Sequence, residues 1–287
     1  MNARTIDPFA LAPDDTFVEK ERVVLTSSAA DAGLDPVARE EPLEIQLGTV
    51  PLGVVMRTPG HDRELVLGWL LAEGIITVAS QVAMVRYCPA VERLEAERNV
   101  IQVRLAPEVE VDLRRLQRRF LSSSSCGLCG KASIEAVLGQ VAPLADSTRL
   151  CVEVLYGLPA RLLRAQEVFA RTGGLHAAGL FDLQGQALVV REDIGRHNAV
   201  DKVVGWAIEQ AAVVPSRCAL LVSGRVSFEV AQKAIAARIP IVAAVSAPSS
   251  LAVDLAREAN LTLVGFLRGR RACVYSAPER LVGSARD

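Results

Sequence analysis

The chain predicts an α/β protein, with a C-terminal α/β layer preceded by a smaller N-terminal α+β unit. Three observations carry this. From residue 197 onward, helix-length segments (197–211, 226–237, 250–259) alternate strictly with short apolar runs (218–222, 239–245, 261–266). The apolar runs are continuous and rich in β-branched residues, as in strands covered on both faces, and the intervening helices imply strands parallel in part. Before residue 120 the pattern differs: alternating strands surround a single clear helix.

Composition sets the bounds. The 287 residues suffice for two domains of ordinary size or one large one. With 51% hydrophobic and 23% charged residues the chain fills a core and is not disordered. Aromatics are only 4%, so Val, Leu, Ile and Ala build that core. A net charge of -1 argues against a general nucleic-acid partner. Residues 1–20 carry Asp7, Asp14, Asp15 and Glu19 without an apolar h-region, unlike a signal peptide. No apolar run approaches the roughly 20 residues that span a bilayer. The nearest, 239–253, is broken by Pro240, Pro248 and serines. The expectation is a cytoplasmic protein with no membrane partner.

In chain order, residues up to about 41 look irregular, with scattered Pro, Asp and Ser. Strands follow at 43–47 and 53–57, joined through Gly48 to Pro51, and Thr58-Pro59-Gly60 ends the second. A helix at 61–73 places Leu65, Val66, Trp69 and Leu70 at helical spacing, with Gly74 as its C-terminal glycine. Strands at 82–88 and 99–105 come next; Ile101, Val103 and Leu105 alternate with polar residues. Short helices are expected at 112–120 and 131–138, and a longer one at 160–170, ended by Gly173-Gly174. A hairpin turns about Gln184-Gly185 between 175–182 and 187–192, and a weaker strand closes the chain at 272–276. The implied divisions are an irregular segment 1–21, an α+β domain 22–120, a loop with a short helix 121–150, and the α/β domain 151–287.

Two places carry chemistry. The first is the run Ser-Ser-Ser-Ser-Cys126-Gly-Leu-Cys129-Gly-Lys131, which reads as an exposed, mobile loop bearing two thiols. One CxxC supplies two of the four ligands zinc needs, and no second CxxC or close histidine pair completes it within the chain. A dimer partner's loop could supply the other two, an alternative that metal analysis separates. A deaminase zinc site needs His-x-Glu before Pro-Cys-x-x-Cys. Here Ala177-Ala178 follows His176, and Ser125 precedes Cys126. The serine run and Gly130 also disagree with a thioredoxin-like site. A thiolate that carries sulfur as a persulfide fits best, activated by Lys131 or an arginine. Cys88, Cys151, Cys218 and Cys273 stand alone among apolar residues, the setting of inert buried thiols in a reducing compartment.

The second place is the set of strand-to-helix turns, since ligands of α/β sheets lie at strand carboxyl ends. These are Glu192 to Asn198, Ser223-Gly224-Arg225-Val226-Ser227, Ser246 to Ser250, and the end of the last buried strand from Gly265 through Arg271. Hydroxyls, helix N-termini and arginines together suit a phosphate or pyrophosphate. Singly, Ser223, Ser246 and Ser249 read as helix caps, and Gly195 and Gly224 as turn formers; as a set, an anion site is favoured. Asp193, His197 and Asp201 are spaced i, i+4, i+8, so a carboxylate on the same face could orient His197. A ligand or acid/base role and a structural role for His197 are equally supported. His61 and His176 read as structural, and Glu229 with Lys233 as an ordinary helix pair.

The motifs Ser-Cys126-Gly-Leu-Cys129-Gly, Glu192-Asp193-Ile194-Gly195-Arg196-His197-Asn198-Ala199-Val200-Asp201-Lys202, Ser223-Gly224-Arg225-Val226-Ser227-Phe228-Glu229 and Ala247-Pro248-Ser249-Ser250-Leu251-Ala252 resemble the FdhD family. The likeness extends from about Glu41 to near the C-terminus, through Arg57-Thr58-Pro59-Gly60 and Glu73-Gly74-Ile75-Ile76. It implies a sulfurtransferase that takes persulfide sulfur from a cysteine desulfurase. The sulfur passes to the molybdenum cofactor, a bis-molybdopterin guanine dinucleotide, needed by formate dehydrogenase. It implies Cys126 as the persulfide residue with Cys129 assisting. It places cofactor binding at Phe266, Leu267, Arg268, Gly269, Arg270 and Arg271, to which the converging turns add Ser223, Gly224, Arg225, His197 and Ser246. Guanine nucleotides would mimic that cofactor. The resemblance further implies a homodimer and a C-terminal three-layer domain like the cytidine deaminase fold without its zinc ligands. The competing reading is a non-catalytic chaperone that binds the cofactor and tolerates loss of both cysteines.

Overall fold

The apolar runs of the C-terminal half form the centre of a six-stranded sheet. The structure is a computed structural model and describes residues 9, 11–88, 98–111, 142–144 and 148–283. The Cys126–Cys129 loop and the helices expected at 112–120 and 131–138 lie outside the described residues. Strands β8 (His176–Asp182), β9 (Ala187–Asp193), β10 (Cys218–Val222), β11 (Ile241–Ala244), β12 (Thr262–Arg268) and β13 (Arg271–Ser276) run in the order β13-β12-β11-β10-β8-β9. β10, β11 and β12 are parallel, and antiparallel strands flank them on both sides.

Both faces of this sheet are covered, which is why its central strands lack alternation. Leu220, Val222, Val242 and Leu263 enter one core; Ala219, Leu221, Ile241 and Val264 enter another. The first face carries helices α4 (Arg196–Glu209), α5 (Phe228–Ala236) and α6 (Ser250–Glu258). The second carries α2 (Val152–Arg164), through Leu155, Leu158 and Leu162. Ser249 caps α6 by accepting from the Ala252 amide at 3.2 Å, an arrangement that stabilises a helix by about 1 kcal/mol.

The N-terminal half docks through one helix. A four-stranded sheet, ordered β4-β3-β6-β5, is built from β3 (Glu41–Leu47), β4 (Val50–Arg57), β5 (Val82–Tyr87) and β6 (Val100–Leu105). Helix α1 (Asp62–Ala72) packs on it and crosses α4. The crossing is backbone against backbone. A Cβ at Gly68 would stand 2.0 Å from the Asp201 carbonyl oxygen, and one at Gly205 1.8 Å from that of Glu64. One apolar core therefore runs from Leu43 and Ile45 through Leu67 and Val203 to Leu220.

Three local expectations change. Residues 17–38 are not irregular; β1 (Phe17–Leu25) and β2 (Ala30–Ala38) form a two-stranded ribbon. Its strands are exposed over most of their length, so no buried alternation marks them in the sequence. The helix expected at 160–170 begins at Val152, contains Pro159, and stops before a second helix, α3 (Glu167–Thr172). Pro159 mimics a helix start, the position proline favours. Among the lone cysteines only Cys218 is buried; Cys88, Cys151 and Cys273 are half-buried. Burial, with Asp182 adding to it, pushes the Cys218 thiol up to about 11, so it stays protonated. A short pair, β7 (Leu150–Cys151) with β14 (Leu281–Val282), ties the C-terminal segment beneath α2.

Candidate functional site: converging turns at one end of the sheet

The carboxyl ends of β9, β10, β11 and β12 meet at one rim, as the spacing of the turns implies. β8 runs against β10, so His176 at its start lies beside the end of β10. The Ser223 amide donates to the Ala177 carbonyl, and the Ala177 amide donates back to Ser223 Oγ, both at 2.9 Å. Ser223 is thus a strand clamp and not a helix cap. The next turns are knitted in sequence. Val226 N–H donates to the Ala247 carbonyl at 3.2 Å, Ser249 N–H to that of Val226 at 2.9 Å, and Phe266 N–H to that of Ser246 at 3.0 Å. Gly224 is hemmed in: a Cβ there would come within 3.3 Å of His176 Nδ1.

The rim is cationic. His176 and Arg196 lie against Gly224, and burial, the largest cause, with Arg196, His197 and Arg225 holds the His176 pKa below its ordinary value against the opposing Asp193. Arg196 Nε is buried and meets no acceptor among the described residues. Among those residues no carboxylate pairs with Arg196, Arg225 or Arg268. Arg268 reaches back to the Val245 carbonyl at 3.1 Å. Phe266 adopts φ 52°, a left-handed conformation costly for a bulky residue, and the residue is 40% exposed. Gly269, at φ 55°, turns the chain into β13. The remaining predicted residues divide. Leu267 is fully buried in the second core, Arg270 pairs with Glu153 at 2.6 Å and lies over Tyr156, and Arg271 is exposed.

Beneath the rim the motif Glu192 to Lys202 builds a dry lock. Asp193 is fully buried; its carboxylate lies 2.7 Å from Lys202 Nζ and accepts from the amides of Gly195 at 2.8 Å and Thr58 at 3.2 Å. Asn198 Nδ2 donates to Asp193 at 2.9 Å and to the Met56 carbonyl at 2.7 Å. Lys202 also donates to the Thr58 carbonyl at 2.9 Å. These bonds fasten the end of β4 to the start of α4. A second lock lies next to it: Arg57 is fully buried against Asp62 at 2.9 Å, and Tyr87 Oη donates to the same carboxylate at 2.8 Å.

His197 is not oriented by Asp193 or Asp201, contrary to the spacing argument. Its Nε2 lies 2.9 Å from both Glu229 Oε2 and Ser227 Oγ on α5 and its approach. A carboxylate only accepts, so Nε2 carries a proton and Nδ1 is left for a ligand or a second proton. That hydrogen bond holds Glu229 below its ordinary pKa against the opposing effect of burial. Glu229 and Lys233 do not form the expected pair with each other, because Lys233 bonds Asp201 at 2.6 Å. A cavity of about 170 Å³, lined by Trp69, Glu73, His197, Asn198, Glu229 and Lys233 among others, lies between α1, α4 and α5. Neither Glu229 nor Ser227 could be linked to His197 from sequence, since the three meet only when α4 and α5 pack side by side.

The fold and rim define a mixed α/β protein with an anion-suited end of its sheet, joined by a locked crossing to an α+β half. The chain belongs to the FdhD/NarQ family, whose model matches residues 38–282. It is similar to the sulfur carrier protein FdhD of Mycobacterium tuberculosis, 51% identical over 255 residues, which are 86% of this chain and 92% of that protein. It is also similar to the sulfur carrier protein FdhD of Streptomyces avermitilis, 50% identical over 268 residues, covering 92% and 95%. Among solved structures it resembles that of a protein from Desulfotalea psychrophila assigned as a formate dehydrogenase accessory protein. The TM-score is 0.76 at 28% identity, covering 93% of this chain and all of the other. No helix among the described residues is long and apolar enough to cross a membrane.

Proposed function

We propose that this protein is a sulfurtransferase in formate dehydrogenase maturation. Cys126 accepts sulfur from a cysteine desulfurase as a persulfide, assisted by Cys129, and delivers it to a bis-molybdopterin guanine dinucleotide molybdenum cofactor at the rim. Family membership and the names of the relatives support the general role. The observation that carries the acceptor side is the convergence of four turns onto a rim where Arg196, Arg225 and Arg268 have no carboxylate partner among the described residues. Pyrophosphates suit such cations. The exposed Phe266 offers a ring face on which a guanine stacks. His197, with Nδ1 uncommitted, is placed to hold or move a proton at the rim.

The domain division at residues 22–120 and 151–287, the cytidine-deaminase likeness of the second part, the cytoplasmic setting and the homodimer belong to the same proposal. The mixed sheet with helices on both faces supports the deaminase likeness.

The test is intact-protein mass measurement after incubation with a cysteine desulfurase and cysteine. Wild type should gain one sulfur and Cys126→Ala none. A Cys126→Ala protein that still loads sulfur and still activates formate dehydrogenase would sink the carrier assignment. Absence of loading on both, with guanine nucleotide binding retained, would replace it with the cofactor chaperone.

A further inference from the structure

At the end of the sheet opposite the rim a groove of about 360 Å³ opens. Helices α4 and α5 begin at the rim and end here, where their last turns meet the chain that follows α1. The walls are apolar: Leu71, Val78, Ile208, Val213, Pro215 and Ala236. Val78 is 51% exposed and Val214, next to Val213, is 52% exposed, so the apolar lining continues onto the surface.

The groove lies between the two points where residues 112–141 leave the described body and rejoin it. On one side Ala106, just past β6, donates from its amide to the Gln81 carbonyl at 2.8 Å, and the Gln81 amide donates to the Val78 carbonyl at 3.2 Å. Val111, the last described residue before the segment, packs on the first core. On the other side the Ala142 carbonyl accepts from Arg238, which lines the groove, at 3.4 Å. The Leu144 amide donates to the Ala259 carbonyl at 2.9 Å, and Asn260 Nδ2 to the Leu144 carbonyl at 3.1 Å. Cys126 lies midway along the segment, tethered on both sides of the groove. A protein that engages this thiol is brought to this face.

Charge selects the occupant. Arg217 and Arg238 are exposed and have no carboxylate partner among the described residues. The segment that departs after Val111 opens with Arg114, Arg115, Arg118 and Arg119. Laid over the groove, it would add like charges to an edge that is already basic, which is costly. A partner that carries carboxylates around an apolar side chain matches both the edge and the lining. A contact of this kind belongs with the small, transient interfaces, as suits a donor that must leave after each transfer.

We infer that this groove is the docking site of the sulfur donor, a cysteine desulfurase that presents an apolar side chain among carboxylates. This rests on the carrier reading above and adds the surface that receives the donor. The transfer needs no oxidant. The Cys126 thiolate attacks the outer sulfur of the donor's persulfide, and the donor's S–S bond breaks as the new one forms. The donor cysteine leaves as a thiolate, and the outer sulfur keeps its proton.

The rate of sulfur loading at Cys126, read by peptide mass, tests it for wild type, Val78→Glu/Val214→Glu and Arg217→Glu/Arg238→Glu. Two donors are compared: a cysteine desulfurase with cysteine, and inorganic polysulfide, which uses no docking surface. With sub-saturating desulfurase each double variant should load at least ~10-fold more slowly than wild type. Polysulfide loading, guanosine diphosphate binding and the melting temperature should not change, because these residues are exposed and lie at the far end of the sheet from the rim. A valine variant that loads from the desulfurase as fast as wild type overturns the groove as the site. An arginine variant that does so overturns the carboxylate-bearing partner. The carrier reading stands in either case. Equal slowing with both donors, or a lowered melting temperature, shows that the chain's own surface covers the groove and also overturns the inference. A wild type that gains no sulfur from the desulfurase overturns the carrier reading, and this inference falls with it.

Discussion

The stretch from Glu192 to Lys202 feeds two polar clusters that are built in opposite ways. In the lock, Asp193 and Lys202 are 0% and 1% exposed, and backbone and side-chain partners from β4 and its turn surround them. At the rim, Arg196 and His197 are partly exposed, and Arg196 Nε meets no acceptor among the described residues. A buried ion pair is tolerable only when complete, because either charge left alone keeps its full desolvation cost. An open cationic rim costs the fold little and leaves its donors for an anion. The comparison teaches that polar density in a motif does not separate a structural lock from a cluster with unspent donors; the completeness of internal pairing does.

The sharpest way to break this comparison is Lys202→Ala. It strands Asp193 in the interior and should cost about 3–5 kcal/mol, read as a fall in the urea midpoint at unchanged slope. A loss under about 1 kcal/mol would mean the lock is not one. Gly205→Ala tests the crossing that carries the lock. Its Cβ has no room beside the Glu64 carbonyl, so α1 and α4 must part, at about 1–3 kcal/mol.

At the rim the signs should reverse. Arg225→Ala should leave stability within about 0.5 kcal/mol. It should weaken guanosine diphosphate binding, measured by titration calorimetry, about 10-fold or more, the scale of one charge-assisted hydrogen bond. An unchanged affinity with a lowered midpoint would move Arg225 into the structural class.

The smallest effects are in pH. Glu229 is held below its ordinary 4.5 by His197, so its stabilisation is present above 4.5 and is lost as pH falls through the lowered value. Asp201 has the opposite sign. Full burial raises it from 3.8 to about 6 despite Lys233, so its contribution is present below 3.8 and is lost as pH rises through about 6. In thermal melts, wild type should lose ground to Glu229→Gln as pH drops from about 5 to 3, and to Asp201→Asn as pH rises from about 4 to 6. Parallel curves for either pair would contradict the assignment.

Much of the sheet was readable in advance, and the reason is burial. Cys218 to Val222 and Ile241 to Ala244 are covered on both faces, so the sequence must be apolar at every position there. The ribbon was not readable because exposure on both sides imposes no such pattern. Leu34 and Val23 stand in water while Gly33, Asp35 and Pro36 are poor strand formers. The turns Ser223 to Ser227 and Ser246 to Ser250 could be assigned to one end of the sheet, because alternating strands and helices leave only one place for them. Cys126 and Cys129 were read from local composition and remain outside the described residues.

By itself the sequence determined the periodicities: which segments are strands or helices, which sides are apolar, and where punctuating glycines and prolines end them. Those are local properties of a few consecutive residues. Only the tertiary structure decided the pairings. His197 meets Glu229 rather than Asp201, Lys233 meets Asp201 rather than Glu229, and Asp193 meets Lys202 and Thr58. A charged side chain takes whichever partner the crossing of its helix brings within about 3 Å, and that crossing is set by Gly68 and Gly205, distant in sequence and adjacent in space.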